Sequence, residues 1–441
     1  MRILLINPWI HDFAAYDLWS KPLGLLTIAA HLKKLGCSIG YIDCLDRFHP
    51  RLKKFLTGKL PRTSVYGSGN YFTQAINKPL VFASIPRTYK RYGMPIEVFE
   101  ELLKEEPRPD VILVSSAMTY WYGGVVEAIA LAKKSFKGVP VLLGGIYAQL
   151  CPIHARDHSG ADFVYNGKSI TEVIKLISQY TNTALHLLAS DTRGLFPLYE
   201  LYAELPYVTL RTSSGCPFRC SYCGWYLLED VIRQTEPERV VRHIARYHNR
   251  HGIKNFAFYD DALLYRAENH LIKILKHLIK QKISVYFHTP NGLHVRYITE
   301  EIAMLMKKSG FVKPRLGLET VSGARQRQTG AKTTNKEFLR AVTFLKKAGF
   351  SSKDIAVNIM IGLPGQDAKE IKDSIAFCAK ENLRICLEEY SPVPGTKDFL
   401  KSGLTDRSDP LLHNNSAFPL YRAADYHTFQ DIKNMVHMLN Q

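Results

Sequence analysis

Short, almost wholly apolar runs alternate with helical stretches along most of this chain, and they do so in two separate series. The first holds RILLINP (Arg2 to Pro8), SIGYIDCL (Ser38 to Leu45), VILVSSA (Val111 to Ala117), VPVLLGG (Val139 to Gly145) and FVYNG (Phe163 to Gly167). Runs that stay apolar at successive positions suit parallel strands covered on both faces. Between the first two, GLLTIAAHLKKLG (Gly24 to Gly36) has helical spacing and ends on a glycine suited to a C-terminal stop. A Rossmann-like, doubly wound parallel sheet over 1–190 is the expectation. Periodicity lapses from Asp191 to Pro206, and a second series follows: YVTLRTS (Tyr207 to Ser213), NFAFYDD (Asn255 to Asp261), SVYFHT (Ser284 to Thr289), RLGLET (Arg315 to Thr320), AVNIMIG (Ala356 to Gly362) and RICLEEYS (Arg384 to Ser391). Six strands, all but the last followed by a clear helical segment, predict a partial (β/α)6 TIM-type barrel over 207–400. Residues 401–441 read as a tail of loop, with Pro410, Asn414, Asn415 and Pro419, plus one helix from Tyr426 to Asn440.

Two domains also agree with the length, because 441 residues exceed what one hydrophobic core usually organises. Hydrophobic residues at 46% and charged residues at 22% exclude a disordered or fibrous chain. No apolar run approaches the roughly 20 residues a membrane helix needs, and the N-terminus enters a strand pattern without a basic leader. The expectation is a cytoplasmic enzyme-sized protein. Eight cysteines are too sparse for a disulfide scaffold, and a metal site in a reducing compartment fits them better.

The net charge of +18 is concentrated. Between Arg47 and Arg91 lie ten Lys or Arg residues and no Asp or Glu, interleaved with Phe48, Phe55, Tyr66, Tyr71, Phe72, Phe82 and Tyr89. This stretch reads as an insertion between the second and third strands. Basic and aromatic residues together can track a nucleic-acid backbone and stack bases. They can equally form a solvated face or receive an anionic cofactor or substrate.

The segment SSGCPFRCSYCGW, Ser213 to Trp225, follows the first strand of the second series. In parallel barrels the loops after strand C-termini build the active site. Gly215 and Pro217 disfavour a continuous helix, so Cys216, Cys220 and Cys223 are expected to curl around a common centre. Thiolates suit iron–sulfur clusters or zinc, and three of them leave one position of a four-iron cluster open. Zinc would want a fourth Cys or His close by, and none follows at typical spacing.

That CxxxCxxC motif, with its position, resembles the radical S-adenosylmethionine (SAM) superfamily over roughly Tyr207 to Thr396. The resemblance implies a [4Fe-4S] cluster held by Cys216, Cys220 and Cys223, SAM chelated at the open iron, and a reductant such as flavodoxin or ferredoxin. It implies that Tyr222 packs near adenine and that Asp260 and Asp261 hold the SAM ammonium, with helix capping as their alternative. Glu319 would contact the ribose or methionine part, and NIMIGLPGQD would lie against adenine through its backbone. There Asn358 replaces a usual glycine, Gly362 and its neighbours can also simply form a turn, and Gln366 or Asp367 stands where an acid is typical. SPVPGT, Ser391 to Thr396, resembles the end of the sixth strand.

The first half resembles the cobalamin (B12)-binding domain that precedes the barrel in a large subgroup. Ser115 and Ser116 after the third strand, with Gly144 and Gly145 after the fourth, resemble the elements that line the nucleotide tail. The DxHxxG element is absent, and His11 in NPWIHDFAAYD reads as a loop or packing histidine. With cobalamin, methyl transfer to an unactivated carbon or phosphorus is implied, the substrate being unidentified. Two other functions stay open. One is an RNA-modifying, methylthiotransferase-like enzyme, suggested by the charge and by TPNGLH (Thr289 to His294), although Cys37, Cys44 and Cys151 form no second cluster motif. The other is a non-catalytic corrinoid- or nucleotide-binding protein.

Overall fold

The computed structural model describes residues 1–185, 196–418 and 426–441. The chain forms two compact units, Met1–Leu205 with Thr405–Asn414, and Pro206–Leu404 with Asn415–Gln441. Of the segment read as a boundary, 191–195 lies outside the described residues, as does Pro419.

The first unit is built on a parallel sheet of β1 (Arg2–Asn7), β2 (Ser38–Asp43), β3 (Val111–Val114), β4 (Val141–Leu143) and β5 (Phe163–Val164), ordered β5-β4-β3-β1-β2. Ile3 and Leu5 pack on Leu25, Ala29 and Leu32 of α1 (Leu23–Lys34). Leu4 and Ile6 face the other way, onto Val98 and Phe99 of α2 (Ile96–Glu105) and Ala128 and Ile129 of α3 (Tyr122–Ser135). This two-sided burial is why the strand reads as an unbroken apolar run. The chain moves from β1 outward to β2 and then returns to β3 on the other side of β1. The ends of β1 and β3 therefore form the switch point at which open α/β sheets leave a crevice.

Three rings of the basic stretch are not presented to solvent as a stacking platform would present them, although Phe55 is exposed. Tyr71, Phe82 and Tyr89 are buried, with Phe13 packed edge-on between the last two at 5.0 and 5.2 Å between centroids. Its short strands Thr73–Ala75 and Lys90–Tyr92 pair antiparallel with each other and with Ile10–Asp12. Arg47 lies 2.9 Å from Asp17, both side chains 3% exposed. Arg51 pairs with Glu105 and Arg91 with Glu127. Arg47, Arg51 and Arg91 thus find their acids outside the segment.

Glu127 also meets His11 Nε2 at 3.0 Å, which fixes that histidine as a packing residue of the Ile10–Asp12 strand. Burial alone would raise the Glu127 carboxyl, but hydrogen bonds and charge from His11 and Arg91 outweigh it and hold its pKa at about 2. A depressed carboxylate pKa contributes stability that is present above the unfolded value and lost as pH falls through the folded one. Glu127→Gln should therefore lower the thermal midpoint near neutrality, with the gap to wild type closing as pH falls from 4.5 towards about 2. A gap independent of pH in that window would remove the ion pair as its cause.

In the second unit every ladder strand of the arc is parallel and follows chain order. β6 (Tyr207–Leu210), β7 (Asn255–Phe258) and β8 (Tyr286–His288) form one ladder, and β9 (Leu293–His294), β10 (Arg315–Glu319), β11 (Ala356–Ile361) and β12 (Arg384–Glu389) another. All six expected strands are present, in the succession a partial barrel requires. The short β9 is an addition to the six expected strands. The first strand ends earlier than expected, at Leu210, and Ser213–Ser214 instead pairs antiparallel with Arg233–Gln234. Asp260 draws the chain off the ladder there by binding Thr212 and Ser213.

The last 40 residues are not a simple tail. Thr405–Asn414 belongs to the first unit, where Asn414 Nδ2 donates to buried Asp12 at 2.9 Å and His413 meets Thr119 at 3.0 Å. The helix Tyr426–Leu439 stays with the second unit, and Asn440 binds the backbone N–H and C=O of Ile385 at 2.9 and 2.8 Å.

Candidate active site

The cysteine loop leaves β6 and is fastened on three sides. From the end of β7, Asp260 Oδ1 accepts from the backbone N–H groups of Thr212 (3.1 Å) and Ser213 (2.5 Å) and from their hydroxyls (2.8 and 2.6 Å). Asp261 Oδ2 accepts from Gly215 N at 2.8 Å and Arg211 at 3.4 Å. Gly215 has φ +80, a left-handed turn that glycine adopts without a Cβ penalty. On the second side Ser221 N donates to Thr329 O at 3.2 Å. A Cβ on the adjoining Gly330 would stand only 3.1 Å from Cys220 Cα. On the third, Ser221 Oγ donates to Asp398 at 2.5 Å and Asp398 N returns a bond to Ser221 O at 2.9 Å.

These restraints gather the three thiols. Cys220 is buried and Cys216 and Cys223 half-buried, and Cys216 feels the charge of both others. Burial pushes the Cys216 thiol up to about 11 and raises the other two; a bound cation must supply the charge that deprotonates such sulfurs. Among the described residues, no three His, Cys, Asp or Glu side chains converge as one metal ion requires. The donor chemistry of three thiols suits an iron–sulfur cluster.

The other residues singled out for SAM belong to the same unit. Asp260 and Asp261 each commit one oxygen to the loop, while Asp260 Oδ2 and Asp261 Oδ1 are buried and bonded to nothing among the described residues. Two unsatisfied buried carboxylate oxygens at strand ends fit a cationic group such as an ammonium. Neither residue caps a helix, which was their alternative role. Asn358, on β11, likewise has a buried Oδ1 without a partner. Gly362 follows β11 at φ +82, and Gln366 closes that turn by accepting from Leu363 N and donating to Met360 O. Asp367 caps the helix Ala368–Lys380 with one oxygen.

Glu319 sits at φ +69 beside a register shift in β10, a costly conformation for a side-chain-bearing residue. It binds Lys332 at 2.6 Å. Burial pulls the Lys332 ammonium down, but Glu319 and Tyr222 outweigh it and keep its pKa well above the usual lysine value. Lys332 Nζ also lies 5.9 Å from the centre of the Tyr222 ring, joining the two residues expected separately. Sequence reasoning did not find Lys332, Gly330, Asp398 or His294, whose Nε2 lies 3.8 Å from Cys216 Sγ. Only His294 carried a signal, as the end of TPNGLH.

In the first unit Ser115, Ser116, Gly144 and Gly145 come together at the ends of β3 and β4. Ser115 Oγ donates to Asn7 at 2.8 Å across the switch point, and Ser116 Oγ donates to Gly144 O at 2.7 Å. A Cβ on Gly145 would meet Ser116 O at 2.2 Å, whereas one on Gly144 would meet nothing within 4 Å. The hydroxyls thus hold the ledge together, and the open space at Gly144 fits a ligand resting on backbone.

A parallel arc whose first loop carries three cysteines and is tied to two buried carboxylates is the candidate active site. Residues 210–378 match the Radical SAM superfamily, so that this part of the chain is similar to the core domain of that superfamily. An uncharacterized methyltransferase of Pyrococcus horikoshii is 28% identical over 208 residues, 46% of this chain and 44% of the relative. The hopanoid C-3 methylase of Methylococcus capsulatus is 22% identical over 364 residues, 73% of this chain and 68% of that one. The chain thus spans less than half the length of the first relative. Among solved structures, the radical SAM methyltransferase TsrM of Kitasatospora setae, with tryptophan and a SAM analogue bound, superposes with TM-score 0.63 at 14% identity, covering 91% of this chain and 75% of that one. At that identity the likeness is one of fold, and it extends over both units.

Proposed function

We propose that this protein is a cobalamin-dependent radical SAM methyltransferase. Cys216, Cys220 and Cys223 would hold a [4Fe-4S] cluster, and the first unit would hold a corrinoid on the ledge of Ser115, Ser116, Gly144 and Gly145. The cluster, when bound, supplies the electron that cleaves SAM to methionine and a 5′-deoxyadenosyl radical. The observation that carries this reading is the fastened three-thiol loop with one unpaired buried oxygen on each of Asp260 and Asp261.

The chain's own residues bind and orient. Asp260 and Asp261 hold the SAM ammonium with the oxygens the loop leaves free, and Asn358 offers a further acceptor. The Glu319–Lys332 pair lies against the ring of Tyr222 within the loop, and that ring would shield adenine from water. The electron donor is a small redox protein of the flavodoxin or ferredoxin type. The names of the two methyltransferase relatives support methyl transfer. The RNA-modifying alternative is less well supported, because Tyr71, Phe82 and Tyr89 of the basic segment are core residues.

The test is anaerobic purification after expression with iron and hydroxocobalamin, with iron and corrinoid quantified on one sample. About four irons beside near-stoichiometric corrinoid is the expected result. Iron without corrinoid would confine the reading to SAM cleavage and free the first unit for substrate. A chain without iron would end it.

A further inference from the structure

His294 is the last residue of β9, and its place is set by the backbone. β9 pairs in parallel with β10, His294 opposite Gly317. The side chain is buried, 8% exposed, with its ring 5.1 Å from that of Phe218 and 6.4 Å from that of Tyr297. Phe218 belongs to the cysteine loop itself, and Arg296 covers its ring at 5.5 Å. Held in this way, the imidazole directs Nε2 at Cys216 Sγ, 3.8 Å away, within the range of a hydrogen bond to sulfur.

The direction of that bond follows from the ligand. A cysteine coordinating iron is a thiolate and can only accept. The shared proton must therefore reside on Nε2. Uptake of one electron adds negative charge to a cluster and its sulfurs, and an N–H aimed at one sulfur stabilises the reduced form more than the oxidised form. We infer that His294 is a positioning residue that donates an N–H to the Cys216 sulfur and thereby raises the reduction potential of the cluster. This rests on the cluster assignment above but assigns His294 a role of its own. It gives the TPNGLH segment a function unrelated to RNA.

The test uses the full-length chain with its cluster reconstituted, poised with dithionite and followed by EPR. His294→Leu should shift the midpoint potential to a more negative value at unchanged iron content. His294→Gln, whose amide N–H can take the place of Nε2, should return it most of the way. A midpoint in His294→Leu equal to wild type overturns the inference, as does a shift in His294→Gln as large as that in His294→Leu. If His294→Leu fails to fold, wild-type protein labelled with ¹⁵N-histidine decides the matter. Pulsed EPR of its reduced cluster should show a ¹⁵N coupling that vanishes in His294→Gln, and the absence of that coupling overturns the inference. Failure to assemble any cluster would overturn the functional reading as well, whereas a normal cluster indifferent to His294 would overturn this inference alone.

Discussion

Cys220→Ala is expected to reduce the iron held by the reconstituted chain from about four atoms to a small remainder and to abolish 5′-deoxyadenosine formation. Cys220 is the most enclosed of the three thiols, 6% exposed. The next residue, Ser221, donates its N–H to Thr329 O, and a Cβ on Gly330 would stand 3.1 Å from Cys220 Cα. The loop therefore has no slack with which to recruit another ligand. Cys37→Ala serves as the control, since Cys37 belongs to the core of the first unit and should leave iron and product unchanged. Iron and 5′-deoxyadenosine retained by Cys220→Ala would refute the site.

Asp260→Ala should be the most damaging change among the residues that hold the loop. One oxygen accepts two backbone N–H groups and two hydroxyls, and Thr212 and Ser213 are both buried. A buried donor left without a partner costs about 1–3 kcal/mol, so the two backbone donors alone predict a loss of about 3 kcal/mol. The variant should unfold at lower denaturant and take up less iron. Asp260→Asn keeps an oxygen for the loop but removes the charge offered to the SAM ammonium. It should fold, hold iron and show a raised KM for SAM. An Asp260→Ala protein as stable as wild type would show that the loop is not anchored there.

Much of this architecture was legible residue by residue. The strand runs stood out because burial on both faces makes every position apolar, as alternate residues of β1 facing α1 and then α2 and α3 demonstrate. The cysteine loop stood out because three soft ligands at fixed spacing after a strand have few other uses. Misreadings arose where a local pattern met a distant partner. The basic insertion looked unneutralised, yet Asp17, Glu105 and Glu127 lie outside it. The residues after 400 looked like a tail because their apolar positions are too few to show a period, yet Leu411, His413 and Asn414 are buried.

The sequence by itself determined the two strand–helix series and singled out the three cysteines proposed as ligands, because hydrophobic period and cysteine spacing act over a few residues and need no fold to be read. Tertiary structure alone decided what surrounds those ligands. His294 reaches Cys216 across 78 residues, and Asp398 reaches Ser221 across 177. Lys332 finds Glu319 because a bulge in β10 turns that acid into a left-handed conformation. Such contacts depend on where the sheet places strand ends in space, and no interval along the chain encodes that placement.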